Sequence, residues 1–277
     1  MRPGTVESYY ERILRTLVHI QRHLDEPLEL DELAAVACFS PYHFHRIFRG
    51  IVGETLAEHI RRLRMERAAQ RLKSTERPVT DIAFEAGYEA HEAFTRAFRA
   101  RFGNSPSGFR DTHAPSSGQA PIAVTIQKFS AMRVAFLRHV GPYADVGPTW
   151  ASLMSWAGSH GLFGSHTRAI GISHDDPDIT PPEKLRYDAA VTIVGEVRAE
   201  GEIGIQELPA GEYAIARHRG PYDRISETYA RMCGEWLPAS GRELAGSPAL
   251  EFYLNAPMNT APENLLTDTC LPLESGL

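Results

Sequence analysis

Two arginines stand at equivalent places in two near-copies of one stretch of chain, and each could do the same chemistry. Arg46 lies in Ser40-Pro-Tyr-His-Phe-His-Arg-Ile-Phe48, and Arg96 in Ala90-His-Glu-Ala-Phe-Thr-Arg-Ala-Phe98. A planar guanidinium can give two parallel hydrogen bonds to guanine O6 and N7, or hold a phosphate. Phe44, Ile47 and Phe48, like Phe94, Phe98 and Phe102, recur at helical spacing. A helix would bury those rings and turn the arginines outward. His45 and His91 could donate to base acceptors, although a plain surface histidine fits both positions as well. Glu92 would repel phosphate. It either accepts from a cytosine N4 amine or pairs with Arg96 one turn on.

A second candidate chemistry sits in Ala249-Leu-Glu-Phe-Tyr-Leu254. Strand alternation would place Ala249, Glu251 and Tyr253 on one face, and Leu250, Phe252 and Leu254 on the other. A carboxylate among aromatic faces suits a cation. Trp150, Trp156, Trp236, Phe163 and Tyr253 could supply such faces, with some of them serving only as core. From the residues alone, a solvent-exposed glutamate on a half-buried strand fits equally well. Catalysis has thin support, because no Ser-His-Asp set, nucleotide-binding loop or His-rich metal helix occurs at a recognisable spacing. No catalytic residue, metal or cofactor is expected, and the chain is not read as an enzyme.

The elements that must position these residues come from two internal duplications. Residues 31–53 and 81–103 each read as a helix-turn-helix. Phe44, Arg46, Phe48 and Gly53 return 50 positions later, whereas Leu33 and Ala37 return 49 later as Ile82 and Ala86, so the second turn is one residue longer. Asp31 is placed to cap the first leading helix. Ser40 is a helix N-cap with Pro41 at the first helical position, and Gly53 and Gly103 end the two recognition helices. Residues 6–23 form an amphipathic helix. Leu56 to Lys73 makes a long helix carrying Arg61, Arg62, Arg64, Arg67 and Arg71. Interleaved Leu63, Met65 and Ala68 mark it as the scaffold between the motifs. About 18 residues at 1.5 Å each would span roughly 27 Å, near the ~34 Å between successive major grooves. Arg61 and Arg62 are candidate phosphate contacts.

Residues 114–120 are small, polar and Pro-flanked, as in a linker, which separates a domain at 1–113 from one at 121–277. Beyond the linker the texture turns to strands. Arg138-His-Val-Gly-Pro-Tyr143 returns 79 positions later as Arg217-His-Arg-Gly-Pro-Tyr222. Each copy follows a strand and precedes an amphipathic helix (Pro148 to His160; Ile225 to Leu237). The fold class is therefore multidomain. An all-α double helix-turn-helix precedes an α+β domain with a duplicated strand-helix-strand unit around an antiparallel sheet. A cleft between its pseudo-symmetric halves is where such a domain would hold a small ligand.

Charge divides the same way. The net charge is −6. Residues 1–113 balance at +1 and residues 114–277 at −7, with residues 40–110 carrying a local excess of +5. A local basic excess suits DNA, while the acidic half must serve some other purpose. Cys38, Cys233 and Cys270 fit neither a disulfide framework nor a zinc spacing, which points to a reducing cytoplasm. The opening residues hold no apolar signal stretch, and no run is long enough to span a membrane.

Two families are resembled over almost the whole chain. The first 113 residues resemble the AraC/XylS-type transcriptional regulators, through Leu33-Ala-Ala-Val-Ala, Ser40 to Phe48, Ile82-Ala-Phe-Glu-Ala-Gly-Tyr88, Phe94 to Phe98 and Phe102-Gly-Asn-Ser-Pro-Ser-Gly-Phe-Arg110. The longer second turn belongs to that pattern. The resemblance implies base-facing Tyr42, His45 and Arg46 on the first recognition helix, with Arg49 beyond them, and His91, Glu92, Thr95 and Arg96 on the second. Residues 121–274 resemble the GyrI-like effector-binding domain, through both His-X-Gly-Pro-Tyr copies, Asp175 to Asp188, Leu250 to Pro257 and Thr267 to Glu274. Ala189 stands where members of that family often have cysteine. The resemblance implies a glutamate at Glu251 in an aromatic-lined cleft that contacts cationic or polar ligands, with Tyr253, Trp150, Trp156, Tyr143, Tyr222 and Phe163 as its expected lining. Double-stranded DNA and a small-molecule effector are the expected partners, and RNA polymerase is compatible with them. Two other readings of the second domain stay open: a protein-interaction module for gyrase or RNA polymerase, and a hydrolase of a toxic compound.

Overall fold

The structure is a computed structural model describing residues 3–112 and 122–274. The expected linker at 114–120 lies outside the described residues. The chain divides into two compact units, Met1–His113 with Arg198–Gly204, and Ala114–Val197 with Ile205–Leu277.

The first unit is helical: α1 (Pro3–Arg22), α2 (Leu30–Val36), α3 (Pro41–Val52), α4 (Leu56–Ser74), α5 (Val79–Glu85), α6 (His91–Phe102) and α7 (Pro106–Thr112). The apolar stripes meet as the spacing demands. Ile13 and Ile20 of α1 pack with Leu33, Phe44, Phe48 and Leu63 around the first motif. In the second motif Phe94, Phe98 and Phe109 form a run of ring contacts. Ser40 caps α3 by accepting from the His43 backbone N–H, and Gly53 and Gly103 end α3 and α6 in the left-handed region at φ 82° and 74°.

Asp31 does not cap α2. Glu29 holds the N-cap position without a side-chain hydrogen bond, and Asp31 lies in the first turn, where a carboxylate still favours the helix dipole. The two motifs use the same backbone conformation at the start of their turns but place different residues in it. Cys38 takes a left-handed φ of 52°, and Gly87, its counterpart, takes 83°. A Cβ on Gly87 would lie 3.1 Å from Arg64 Nη1, so the second turn is pressed against a neighbour.

Helix α4 commits four of its five arginines to the unit itself. Arg64 donates to the Leu24 and Glu26 carbonyls at 2.9 and 2.7 Å, and Arg67 pairs with Asp25 at 2.6 Å. Arg71 bonds Glu85 of α5 at 2.5 Å. Arg62 corrects the sequence expectation. Its side chain is 10% exposed and lies between Glu54 at 2.7 Å and Glu66 at 3.1 Å, so it is not placed to touch phosphate. Arg61 remains exposed.

The second unit holds one eight-stranded sheet: β1 (Thr125–Phe129), β2 (Met132–Val140), β3 (Ala169–Ser173), β4 (Arg186–Thr192), β5 (Ile203–Leu208), β6 (Gly211–Arg219), β7 (Ala249–Tyr253) and β8 (Leu266–Leu273). Helices α8 (Gly147–Ser159), α9 (Ile225–Arg231) and α10 (Leu237–Ser240) complete it. The strand order is β1-β6-β8-β7-β3-β4-β2-β5. This order reads the same from either end once β2, β3 and β4 are matched to β6, β7 and β8. The halves meet where β3 pairs antiparallel with β7, with Gly171 opposite Glu251. Each half thus runs strand, strand, helix, strand, strand, two strands more than the expected repeat. The helix expected from Ile225 to Leu237 is interrupted by a π turn at Met232–Trp236. Pro238 lacks the N–H that would continue the α ladder, and the winding loosens before it. No helix among the described residues is long and apolar enough to cross a membrane.

Candidate functional site

Two surfaces carry the candidate chemistry, one in each unit. Helix α3 buries Phe44 and Phe48 and leaves Tyr42, His45, Arg46 and Arg49 exposed, with Tyr42 at 68%. Arg46 donates to the Tyr42 hydroxyl at 3.0 Å and its guanidinium lies 5.6 Å from that ring, so the pair projects as one unit. Helix α6 buries Phe94 and Phe98 and exposes His91, Glu92 and Arg96. Thr95 is half-buried, its hydroxyl 3.4 Å from His91 Nε2. Among the described residues Glu92 and Arg96 form no ion pair with each other, so neither is neutralised by the other.

The second candidate site is built on the seam between β3 and β7. Glu251 is 6% exposed, not a surface glutamate. It accepts from the hydroxyls of Ser173 at 2.8 Å, Tyr253 at 2.6 Å and Tyr229 at 3.4 Å. Burial pushes Glu251 above the ordinary carboxylate range, against those hydroxyls and the nearby His218, which favour the charged form. Burial also raises the Tyr253, Tyr187 and Tyr229 phenols well above their ordinary value, with the Glu251 charge adding to it, so all three stay protonated donors.

Aromatic side chains close around this carboxylate. Trp150 of α8 meets Tyr253 edge-on at 5.5 Å, and Tyr222 meets it at 5.1 Å. Tyr143 lies 5.9 Å from Tyr187 and donates to the Asp175 carbonyl at 2.7 Å. The structure therefore brings together five expected residues: Glu251, Tyr253, Trp150, Tyr143 and Tyr222. It does not bring in the other two. Trp156 packs its ring on His160 at 4.4 Å, and Phe163 is 57% exposed beside Gly158. Both lie at or beyond the far end of α8, where helical rotation carries Trp156 off the face that holds Trp150.

Sequence reasoning missed Tyr187, Ser173, Tyr229 and Gly171. The duplication holds a signal for three of them. Tyr229 lies 79 residues after Trp150, the offset of the Gly-Pro-Tyr copies, and Ser173 and Gly171 precede Tyr253 and Glu251 by 80. A Cβ on Gly171 would lie 2.7 Å from the Tyr253 hydroxyl and nearer still to that of Tyr187, so only glycine leaves room for the two phenols to meet.

On the other face of β4, Asp188 is fully buried and bonds Arg138 at 2.7 Å and His174 at 2.9 Å. Burial alone would raise its carboxyl, but Arg138 and His174 outweigh that and hold it well below the usual range. Burial pushes His174 down, so near neutral pH it acts as an uncharged donor. The equivalent pair in the other half, Arg217 with Asp268 at 2.6 Å, is open to solvent, with Arg217 57% exposed.

Comparison with known proteins assigns both units. Residues 122–274 match the GyrI-like small molecule binding domain, and residues 33–112 match a helix-turn-helix domain. The chain belongs to the GyrI-like family. It is an AraC-type DNA-binding regulator carrying a GyrI-like small-molecule binding domain. The regulatory protein SoxS of Salmonella typhimurium is 39% identical over 102 residues, 36% of this chain and 95% of SoxS. The right origin-binding protein of Escherichia coli is 37% identical over 94 residues, 34% of this chain and 32% of that protein. The fold of EcmrR in its cryo-EM complex with DNA (EcmrR-RPo) is shared at a TM-score of 0.51 and 13% identity, covering 90% of this chain and 100% of that one.

Proposed function

We propose that this regulator reads two successive major grooves with α3 and α6 and binds a cationic aromatic effector in the cleft around Glu251. One observation carries the effector half: a buried carboxylate whose hydrogen-bond partners are all hydroxyls, set among aromatic rings. A buried anion without a basic partner is costly, so a ligand that brings positive charge recovers energy that a neutral ligand does not, and ring faces add about 0.5–2 kcal/mol of cation–π attraction. For the DNA half, the support is the matched exposure of Arg46 and Arg96 on equivalent helices. RNA polymerase fits as the partner through which a DNA-bound regulator acts, and the cleft is assigned to sensing instead of turnover.

The test is a thermal-shift screen of the full-length protein against aromatic cations, neutral aromatics and anions. A ligand at 100 times its Kd stabilises by about 2.7 kcal/mol. Glu251→Gln should weaken cations far more than neutral compounds. If the variant bound both classes as the unaltered protein does, the effector reading would sink, and product formation from a bound compound would replace it with an enzyme. Selection from random DNA should return an asymmetric site of about 20 bp, and Arg46→Ala or Arg96→Ala should each cost about 1–3 kcal/mol in one half of it. A footprint confined to one groove overturns the two-motif reading.

A further inference from the structure

A chain of hydrogen bonds with a fixed direction leads to Glu251. The indole Nε1 of Trp150 donates to the Tyr187 hydroxyl at 3.1 Å. That hydroxyl is 2.7 Å from the Tyr253 hydroxyl, which donates to Glu251 Oε2 at 2.6 Å. A phenol carries a single hydrogen, and an indole N–H has no lone pair with which to accept. With Trp150 donating at one end, the Tyr187 hydrogen is free to point at Tyr253, and the Tyr253 hydrogen at the carboxylate. The reverse direction would aim a Tyr187 hydrogen at an indole nitrogen that cannot take it. The chain crosses the seam of the duplication, from α8 and β4 of one half to β7 of the other.

We propose that Trp150 is a positioning residue that, through Tyr187 and Tyr253, holds a hydroxyl hydrogen on Glu251 and so sets how readily this carboxylate stays charged for a cationic effector. The role deepens the effector reading and rests on it. The other groups around Glu251 do not share this role with the wire. Ser173 of β3 and Tyr229 of α9 also donate to Oε1, but neither is linked to Trp150. His218 acts on Glu251 through its field and not through a hydrogen bond. Tyr143, Tyr222 and Cys270 feel the carboxylate's charge without bonding it. The half-site opposite has no such wire, since Gly171 stands where Glu251 stands.

The experiment titrates Glu251 directly in the ligand-free, full-length protein. The infrared band of its protonated carboxyl, isolated by subtracting the Glu251→Gln spectrum, is followed against pH. Trp150→Phe keeps an aromatic ring but removes the donor, and Tyr187→Phe cuts the wire one link nearer. Each should raise the proton affinity of Glu251 about three- to tenfold, up to one pH unit in midpoint. The double variant should shift no further than either single one, because groups acting in one chain are not additive. A midpoint unmoved by Trp150→Phe, or shifts that add in the double variant, overturns the proposal. Should Trp150→Phe fail to fold, Tyr187→Phe decides alone, and an unmoved midpoint there is equally fatal. Binding of ethidium, a fluorescent aromatic cation, is measured separately in the unaltered protein. Its absence, with no other cation bound, counts against the effector reading while the titration still judges the wire.

Discussion

Both units of this regulator are duplications, yet the copies have been put to different use. In the helical unit the two copies work alike. Each buries two phenylalanines, exposes an arginine at the matched position and stops at a left-handed glycine. In the sheet unit the copies keep the frame and split the chemistry. Gly171 faces Glu251 across the seam, a buried Asp188 matches an accessible Asp268, and Trp150 matches Tyr229. On the proposed function, reading DNA rewards two similar surfaces a groove apart, and enclosing one small molecule rewards a single charge on the seam, so that one copy withdraws its side chain for the other to reach in.

The sharpest way to break this comparison is to treat the two ion pairs alike. Asp188→Asn strands Arg138 and His174 in the interior and should cost about 3–5 kcal/mol in chemical denaturation. Asp268→Asn, at the equivalent place, should cost under about 1 kcal/mol because solvent already screens Arg217. Equal losses would show that the halves have not diverged in how they are held together.

A smaller effect separates the same groups by pH. Asp188 and Asp175 are held below their ordinary range, Asp175 by Arg186 against the opposing effect of burial. Their stabilisation is complete above the unfolded-state pKa and is lost as pH falls through the folded value. Glu251 is raised, so its contribution is present in acid and lost as pH rises through its folded value. Unfolding followed from acid to mildly alkaline pH should therefore show Asp188→Asn flattening the acid limb. Glu251→Gln should flatten only the limb above it and gain on the unaltered protein as pH rises. A Glu251→Gln curve parallel to the unaltered one throughout would remove the asymmetry between β3 and β7.

The smallest test concerns the two turns that look most alike. Gly87→Ala meets both a left-handed φ and Arg64, and should cost about 1–2 kcal/mol. Cys38→Gly relieves the same backbone conformation and should be neutral or stabilising by up to about 1 kcal/mol. Opposite outcomes in thermal unfolding sharpen the comparison; a harmless Gly87→Ala would mean that the glycine is not needed there.

Periodicity, caps and repeats are local, and they were enough to find both helix-turn-helix motifs, the longer second turn, six of the eight strands and the doubled Gly-Pro-Tyr. They also named Glu251, Tyr253, Trp150, Tyr143 and Tyr222, because one-face alternation and a family pattern are written along the chain. Contacts across the sheet are not. Ser173 reaches Glu251 over a separation of 78 residues and Tyr187 reaches Tyr253 over 66, joined only when β3, β4 and β7 pair. Packing alone decided that Glu251 is buried, that Trp156 and Phe163 stay outside the cleft, and that Arg62 is enclosed by Glu54 and Glu66 when a row of arginines on paper looks like a DNA-facing helix. The physical reason is the same in each case. Residue type sets what a side chain can do, but burial and partners set what it does, and both are properties of elements brought together from distant parts of the chain.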